Sequence, residues 1–491
     1  MPPKISCKKN VFTGFIISAL IINVFVLLSI WDILYAGLVL TWVAMMFYCL
    51  NHLTKRIALF CFGLAFFTFL MGRDGMIPFL NQEHTSYTRE INNHAYISME
   101  LAIIGVWLTF MIFSHTQSKH DNVKTLSSRE IIWYSHVRKY SIISFYIVYP
   151  FAILVNLAIG YFVIKYGYAA KFTDLRALVE NTPIFYTISK IELLLPASFS
   201  IFMATLPSKK QFMKIVKPYF IYLILTLLTG GRGDFIMGIL LIIIGMAFMQ
   251  KIEPDITWIS KNKTRKLLLV GVPIIAIGGS IMNIVRFGGS TDEVSLSDSF
   301  VNFFYDQGVS VTTIKNAYKY EESIPKQDDL YILEFLHTGL LARLLGNPVY
   351  QGNTIEHATK GGSFTHSLGY AIMGEVYLSG RGTGTSYIAE LYYDLGYIGV
   401  FLGSCLYGFL FSLMSSLSKT GLFSRSIIFI ILTKLLWAPR GGYSLFLGFL
   451  FAPTTLALLL FVFGAAQISY VRELKLKNTN YYLYNENINL K

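Results

Sequence analysis

Arg232, Arg286, Arg381 and Arg440 each stand in a glycine-rich stretch: Gly230-Gly231-Arg232-Gly233, Arg286-Phe287-Gly288-Gly289, Gly380-Arg381-Gly382 and Arg440-Gly441-Gly442. A guanidinium offers a planar fork of donors that matches phosphate oxygens, and glycines let backbone N–H groups approach the same anion. Together they could bind a highly charged group such as a diphosphate. The plainer reading is an arginine at a helix end that extends its head to the lipid headgroups. Proton chemistry calls for other residues. His366 lies among glycines and serines shortly before Arg381, while Glu375 and Glu390 flank the run Gly380 to Ser386. Any of the three could take a proton from an attacking hydroxyl. The plainer role of His366 is a solvated loop histidine, and that of Glu390 an ion-pair partner for one of the arginines. His337, His357 and Asp394 are further candidates. The Gly380–Thr385 run lacks the Gly-Lys-Ser/Thr of a nucleotide P-loop. Cys7, Cys49, Cys61 and Cys405 show no metal-type spacing, so neither a disulfide framework nor a metal site is expected.

These residues must be positioned by a membrane protein. Of 491 residues, 54% are hydrophobic and only 14% charged, and the mean hydropathy is +0.53. That composition belongs to an all-α polytopic integral membrane protein. The net charge of +13 is spread in short clusters between apolar runs, and no nucleic-acid module is visible. About twelve spans are expected, near 11–30, 33–50, 57–71, 95–114, 141–164, 187–206, 218–230, 235–250, 267–285, 388–416, 426–438 and 443–470. The first follows Lys4, Lys8 and Lys9 and reads as an uncleaved span rather than a signal segment. With the N-terminus inside, alternate connections gather the lysines and arginines, as cytoplasmic loops do. This sidedness requires 218–250 to be a hairpin, with Pro218 to Thr229 as a short helix of about 18 Å and Arg232 recessed below the outer surface. The segment from Ser426 to Ala438 repeats that short design before Arg440. The chain therefore divides into an N-terminal bundle of about nine spans (1–285), a large external loop (286–387), C-terminal spans (388–470) and a cytoplasmic tail (471–491). The loop is acidic, and its segments Ser299–Tyr320 and Tyr331–Leu345 suit amphipathic helices lying on the membrane or over the bundle.

The many-span layout, the Thr229-Gly230-Gly231-Arg232-Gly233 hairpin, the stretch Gly382-Thr383-Gly384-Thr385-Ser386-Tyr387-Ile388-Ala389-Glu390-Leu391-Tyr392-Tyr393-Asp394-Leu395-Gly396 and the late Arg440-Gly441-Gly442 resemble the Wzy-type polymerases of O-antigen and capsular repeat units. The resemblance implies a GT-C-like, metal-independent glycosyltransferase in the bacterial cytoplasmic (inner) membrane, both termini cytoplasmic and the active site outside, without a cofactor. Its substrates would be undecaprenyl-diphosphate-linked oligosaccharides, and its partners membrane lipid, a chain-length regulator and a flippase. Arg232, Arg286, Arg381 and Arg440 would hold the diphosphate; His366, Glu375 or Glu390 would activate the acceptor. An O-antigen-ligase-like enzyme shares the layout and differs in its acceptor. A lipid-linked oligosaccharide flippase or transporter would place polar groups at mid-membrane on several spans.

Overall fold

The computed structural model describes residues 4–80, 86–118, 127–171, 175, 178–179, 182–258, 296–417 and 419–489. Among these residues there is helix but no strand, and ten helices are long and apolar enough to cross a membrane. They are Ile33–Asn51, Leu53–Phe79, Arg89–Ser114, Ser128–Tyr166, Pro183–Ala204, Lys209–Leu228, Gly233–Ile252, Tyr387–Ser415, Leu422–Arg440 and Pro453–Leu476, preceded by a shorter apolar helix Thr13–Leu27. In lipid a helix satisfies its own backbone donors and acceptors, so long apolar runs become spans. The run expected at 443–470 is divided into a short helix Leu445–Leu450 and a long one that begins at Pro453. Arg286 and the expected span 267–285 lie outside the described residues, as does the side chain of Arg232.

The hairpin differs from expectation in length. Its first helix starts at Lys209, nine residues before Pro218, because Ser208 and Gln211 form a capping box around the free N–H groups. Lys209–Leu228 is thus about 30 Å long and spans fully. Gly230, at φ 75°, makes the turn, and Arg232 opens the second helix, Arg232–Ile252. The lysines of the first turns had made that stretch look like a loop.

Two helices form the spine of the bundle. Arg89–Ser118 and Tyr387–Ser415 approach closely because Gly105 faces the Phe401 carbonyl and Gly408 faces that of Val106. A Cβ at Gly105 would stand 2.7 Å from the Phe401 oxygen. Small residues at such crossings let backbones meet where lipid supplies no hydrophobic drive. Within Tyr387–Ser415, Gly396 has φ 63° and ψ −161°, so the helix kinks there and its first turns are re-aimed. Between Leu53–Phe66 and Gly72–Met76 a π-turn, Phe67–Met71, interrupts the span.

The described part of the long connection lies over the bundle. Helix Leu296–Gln307 leads through Gly308–Ser310 into Val311–Lys319, which buries Val311, Ile314 and Ala317. Gly308 packs directly against the backbone of Arg73. Lys315 Nζ meets Asp74 Oδ2 at 2.7 Å with both side chains buried, tying this helix to the span Leu53–Phe79. The expected segment Tyr331–Leu345 forms a 3-10 turn, Tyr331–Leu336, and a helix, Gly339–Leu345. Deeper in the bundle Arg425 is 2% exposed, its guanidinium donating to the carbonyls of Ala204, Leu417 and Thr420.

Candidate active site

The segment Arg440-Gly441-Gly442-Tyr443 follows the span Leu422–Arg440, and each end of it meets a different chemistry. At the basic end, Arg440 Nη1 donates to the Gln307 carbonyl at 3.1 Å. Its guanidinium lies 5.6 Å from the Phe69 ring and 5.8 Å from that of Trp437, close enough for cation–π attraction. Trp437 also packs on Gly233, leaving no room there for a side chain. The start of the Arg232 helix is therefore a neighbour of Arg440. Lys171 Nζ donates to the Thr229 carbonyl at 3.1 Å, adding a cation to the hairpin turn.

Arg73 joins the same region from another span. Its Nη2 donates to the Tyr305 hydroxyl at 2.8 Å, and its guanidinium lies 4.0 Å from the Tyr305 ring. Arg73 and Arg440 thus grip Tyr305 and Gln307 of the one helix Leu296–Gln307. Arg73 is a glycine-framed arginine outside the four considered from the sequence, although Gly72-Arg73-Asp74-Gly75 echoes Gly231-Arg232-Gly233-Asp234. That echo was the signal, and Lys171 had none.

At the other end are carboxylates. Glu390, with no exposure, accepts from Thr385 Oγ1 at 2.9 Å and from the Tyr443 N–H at 2.7 Å. A Cβ on Gly442 would stand 3.0 Å from Glu390 Oε1 and 3.4 Å from Glu334 Oε2, so both carboxylates crowd one glycine. Glu334 comes from the Tyr331–Leu336 turn, and burial pushes its carboxyl up from its ordinary value. One helical turn beyond Glu390, Asp394 accepts from the Ile332 N–H at 2.8 Å and fixes that turn in place. Glu334 was missed in the sequence because it is far from Glu390 along the chain and sits in no motif.

The other sequence candidates make their own contacts on the long connection, His337 directly after the Glu334 turn. His366, half-buried, shares a hydrogen bond of 2.8 Å between Nδ1 and the Tyr377 hydroxyl and stacks 3.6 Å from the His357 ring. His357 Nδ1 is 2.8 Å from the Gly352 carbonyl. His337 pairs with Asp329 at 3.5 Å. Glu375 is exposed at the first position of the four-residue helix Glu375–Leu378. Arg381 is exposed too, with its carbonyl accepting from Asn353 Nδ2 at 2.8 Å.

Cations beside aromatic faces, joined through three residues to the buried Glu390 and the half-buried Glu334, can bind an anionic group and handle a proton a short distance away. Against known proteins, the chain matches the model of a family described as O-antigen polysaccharide polymerase Wzy over residues 9–473. No curated protein and no solved structure matches it.

Proposed function

Because the chain belongs to the O-antigen polysaccharide polymerase family, we propose that it joins undecaprenyl-diphosphate-linked oligosaccharide units on the outer face of the bacterial cytoplasmic membrane. The observation that carries this reading is the Arg440–Tyr443 segment, which has an arginine at one end and hydrogen-bonds Glu390 at the other.

In this reading the acceptor hydroxyl attacks the anomeric carbon of the donor glycan. The new glycosidic C–O bond forms as the bond to the diphosphate breaks. Arg440 and Arg73, with Arg232, Arg286 and Arg381 as further donors, stabilise the charge that develops on the departing diphosphate. The hydroxyl proton passes to the carboxylates of Glu334 and Glu390. His366 and Glu375 remain the competing bases. The bond energy of the glycosyl diphosphate drives the step, so no nucleotide is consumed. In this reading both termini face the cytoplasm, and a chain-length regulator and a flippase are the partners such a reaction needs.

The test is complementation of a strain lacking its repeat-unit polymerase, with wild type, Arg232→Ala, Glu390→Gln and His366→Ala at matched membrane levels and surface glycan resolved by size. A wild-type ladder that collapses to single units in Arg232→Ala and Glu390→Gln is expected. A wild type that gives no ladder while lipid-linked units are present outside would sink the proposal and move ligase or transporter ahead. Cysteine placed at Arg381 in a cysteine-free background should label from outside in intact cells.

A further inference from the structure

A cavity of about 960 Å³ opens beside the Val311–Lys319 helix, the turn after it and the start of Tyr387–Ser415. That volume suits a ligand of several rings. The chain as a whole carries +13, yet six carboxylates line this cavity, Glu321, Glu322 and Asp328 among them, against Lys319 and Lys326. Those three are exposed, and among the described residues no ion pair engages them. Among the described residues no His, Cys, Asp and Glu group is arranged to hold a metal ion, which leaves the cavity carboxylates as acceptors for hydroxyl or ammonium donors.

The apolar component is as specific. Tyr318, Tyr320, Tyr331 and Tyr393 also line the cavity. Tyr318 donates its hydroxyl to Glu90 at 2.7 Å, Tyr331 to the Pro325 carbonyl and Tyr393 to the Ile324 carbonyl. With their hydroxyls engaged, the half-buried rings of Tyr318 and Tyr393 are held in place and offer flat faces, while Tyr331, 2% exposed, backs the wall. Hydroxyl acceptors beside fixed aromatic faces match a saccharide, which has polar edges and C–H-rich ring faces. The cavity also adjoins the carboxylate pair. Its wall includes Tyr331 and Asp394, and Glu334 and Glu390 lie one turn away on the same two elements.

Resting on the polymerase reading above, we propose that this cavity holds sugar rings of the lipid-linked unit beside Glu334 and Glu390, and that its charge restricts it to neutral or amino-bearing sugars. Units carrying uronic acids or other anionic sugars are excluded by like-charge repulsion.

The experiment measures binding of chitotetraose, its fully N-acetylated form and tetragalacturonate to the full chain in nanodiscs at low salt. The cationic and neutral probes should bind at least about tenfold more tightly than the anionic one, with a gap that shrinks at high salt. The Glu321→Gln, Glu322→Gln, Asp328→Asn triple variant should lose the charge order and keep the neutral probe, whereas Tyr320→Ala should weaken all three. Tetragalacturonate binding as tightly as the others, or no effect of Tyr320→Ala, overturns the proposal, as does occupation of the cavity by a protein partner in place of any sugar. Because binding needs no turnover, the two readings fail separately. Charge-ordered binding without polymerisation by wild type sinks the polymerase alone, and polymerisation without charge-ordered binding sinks the subsite alone.

Discussion

Replacing Gly442 by alanine tests the carboxylate pair with a single methyl group. The added Cβ would stand 3.0 Å and 3.3 Å from the two Glu390 oxygens and 3.4 Å from Glu334 Oε2. Ordinary contact begins near 3.4 Å, so Glu390 must retreat by roughly 0.4 Å, and it is held on both oxygens by Thr385 and the Tyr443 N–H. A misplacement of about 1 Å in a reacting group costs about a hundredfold, so roughly 0.4 Å corresponds to about a five- to tenfold loss of rate. Overpacking of this kind also costs about 1–3 kcal/mol of stability where neighbours cannot yield. The assay is the surface-glycan ladder at matched membrane levels, with thermal unfolding of the purified protein alongside. Gly382→Ala is the control, since a Cβ there meets nothing within 4 Å and the backbone is not left-handed. Long chains that become short in Gly442→Ala and stay long in Gly382→Ala are expected. Wild-type chain lengths from Gly442→Ala would refute the idea that the pair needs this geometry.

Three more outcomes are expected from the same contacts. Arg440→Lys should cut polymer by about tenfold or more, because an ammonium cannot reproduce the fork that reaches both the Gln307 carbonyl and an anion; an unchanged ladder would remove Arg440 from the mechanism. Asp74→Asn should destabilise the protein by about 3–5 kcal/mol, since Lys315 would be left as an unpaired buried charge. Thermal unfolding reads this, and Asp74→Leu combined with Lys315→Met should recover part of the loss. Glu334 has a raised pKa in the fold, so the native state binds its proton more tightly than the unfolded chain. Its stabilising effect is present below the unfolded value of about 4.3 and is lost as pH rises through the folded value. Unfolding temperatures of Glu334→Gln should therefore depend less on pH than those of wild type between the unfolded and the folded value, and parallel curves across that window would contradict the assignment.

The spans were legible in the sequence because a bilayer enforces them: a long apolar run must close its own hydrogen bonds, and cations must gather on one side. The start at Lys209 was not, since four lysines in two turns mimic a loop and only the Ser208–Gln211 cap marks the helix. Arg440-Gly441-Gly442 was legible as a close-approach signature, although its partners were not. Those partners, Gln307, Glu334 and Glu390, are far apart along the chain and meet through tertiary packing that no local pattern encodes. Glu390 could be chosen because it opens a span, where a carboxylate needs a reason to be. Glu334 lies in a mixed apolar and polar turn, where a glutamate is ordinarily solvated. The Arg73 signature was present but lay just past the end of the expected span 57–71, where a guanidinium reads as interfacial.

The π-turn Phe67–Met71 sets the rotational phase of the short helix Gly72–Met76. Such a turn amounts to one extra residue in the helix, and each residue advances the helix by about 100°. Without it, Gly72–Met76 would be turned by that angle about the helix axis. Asp74 would swing away from Lys315, and Arg73 from Tyr305, while the hydrophobic length of the span hardly changed. A one-residue deletion within Phe67–Met71 would therefore leave the protein inserted but out of phase, with the helices Leu296–Gln307 and Val311–Lys319 unlatched from the bundle. In this chain the angular setting of a membrane helix, rather than its depth, decides whether the helices of the long connection latch onto the bundle.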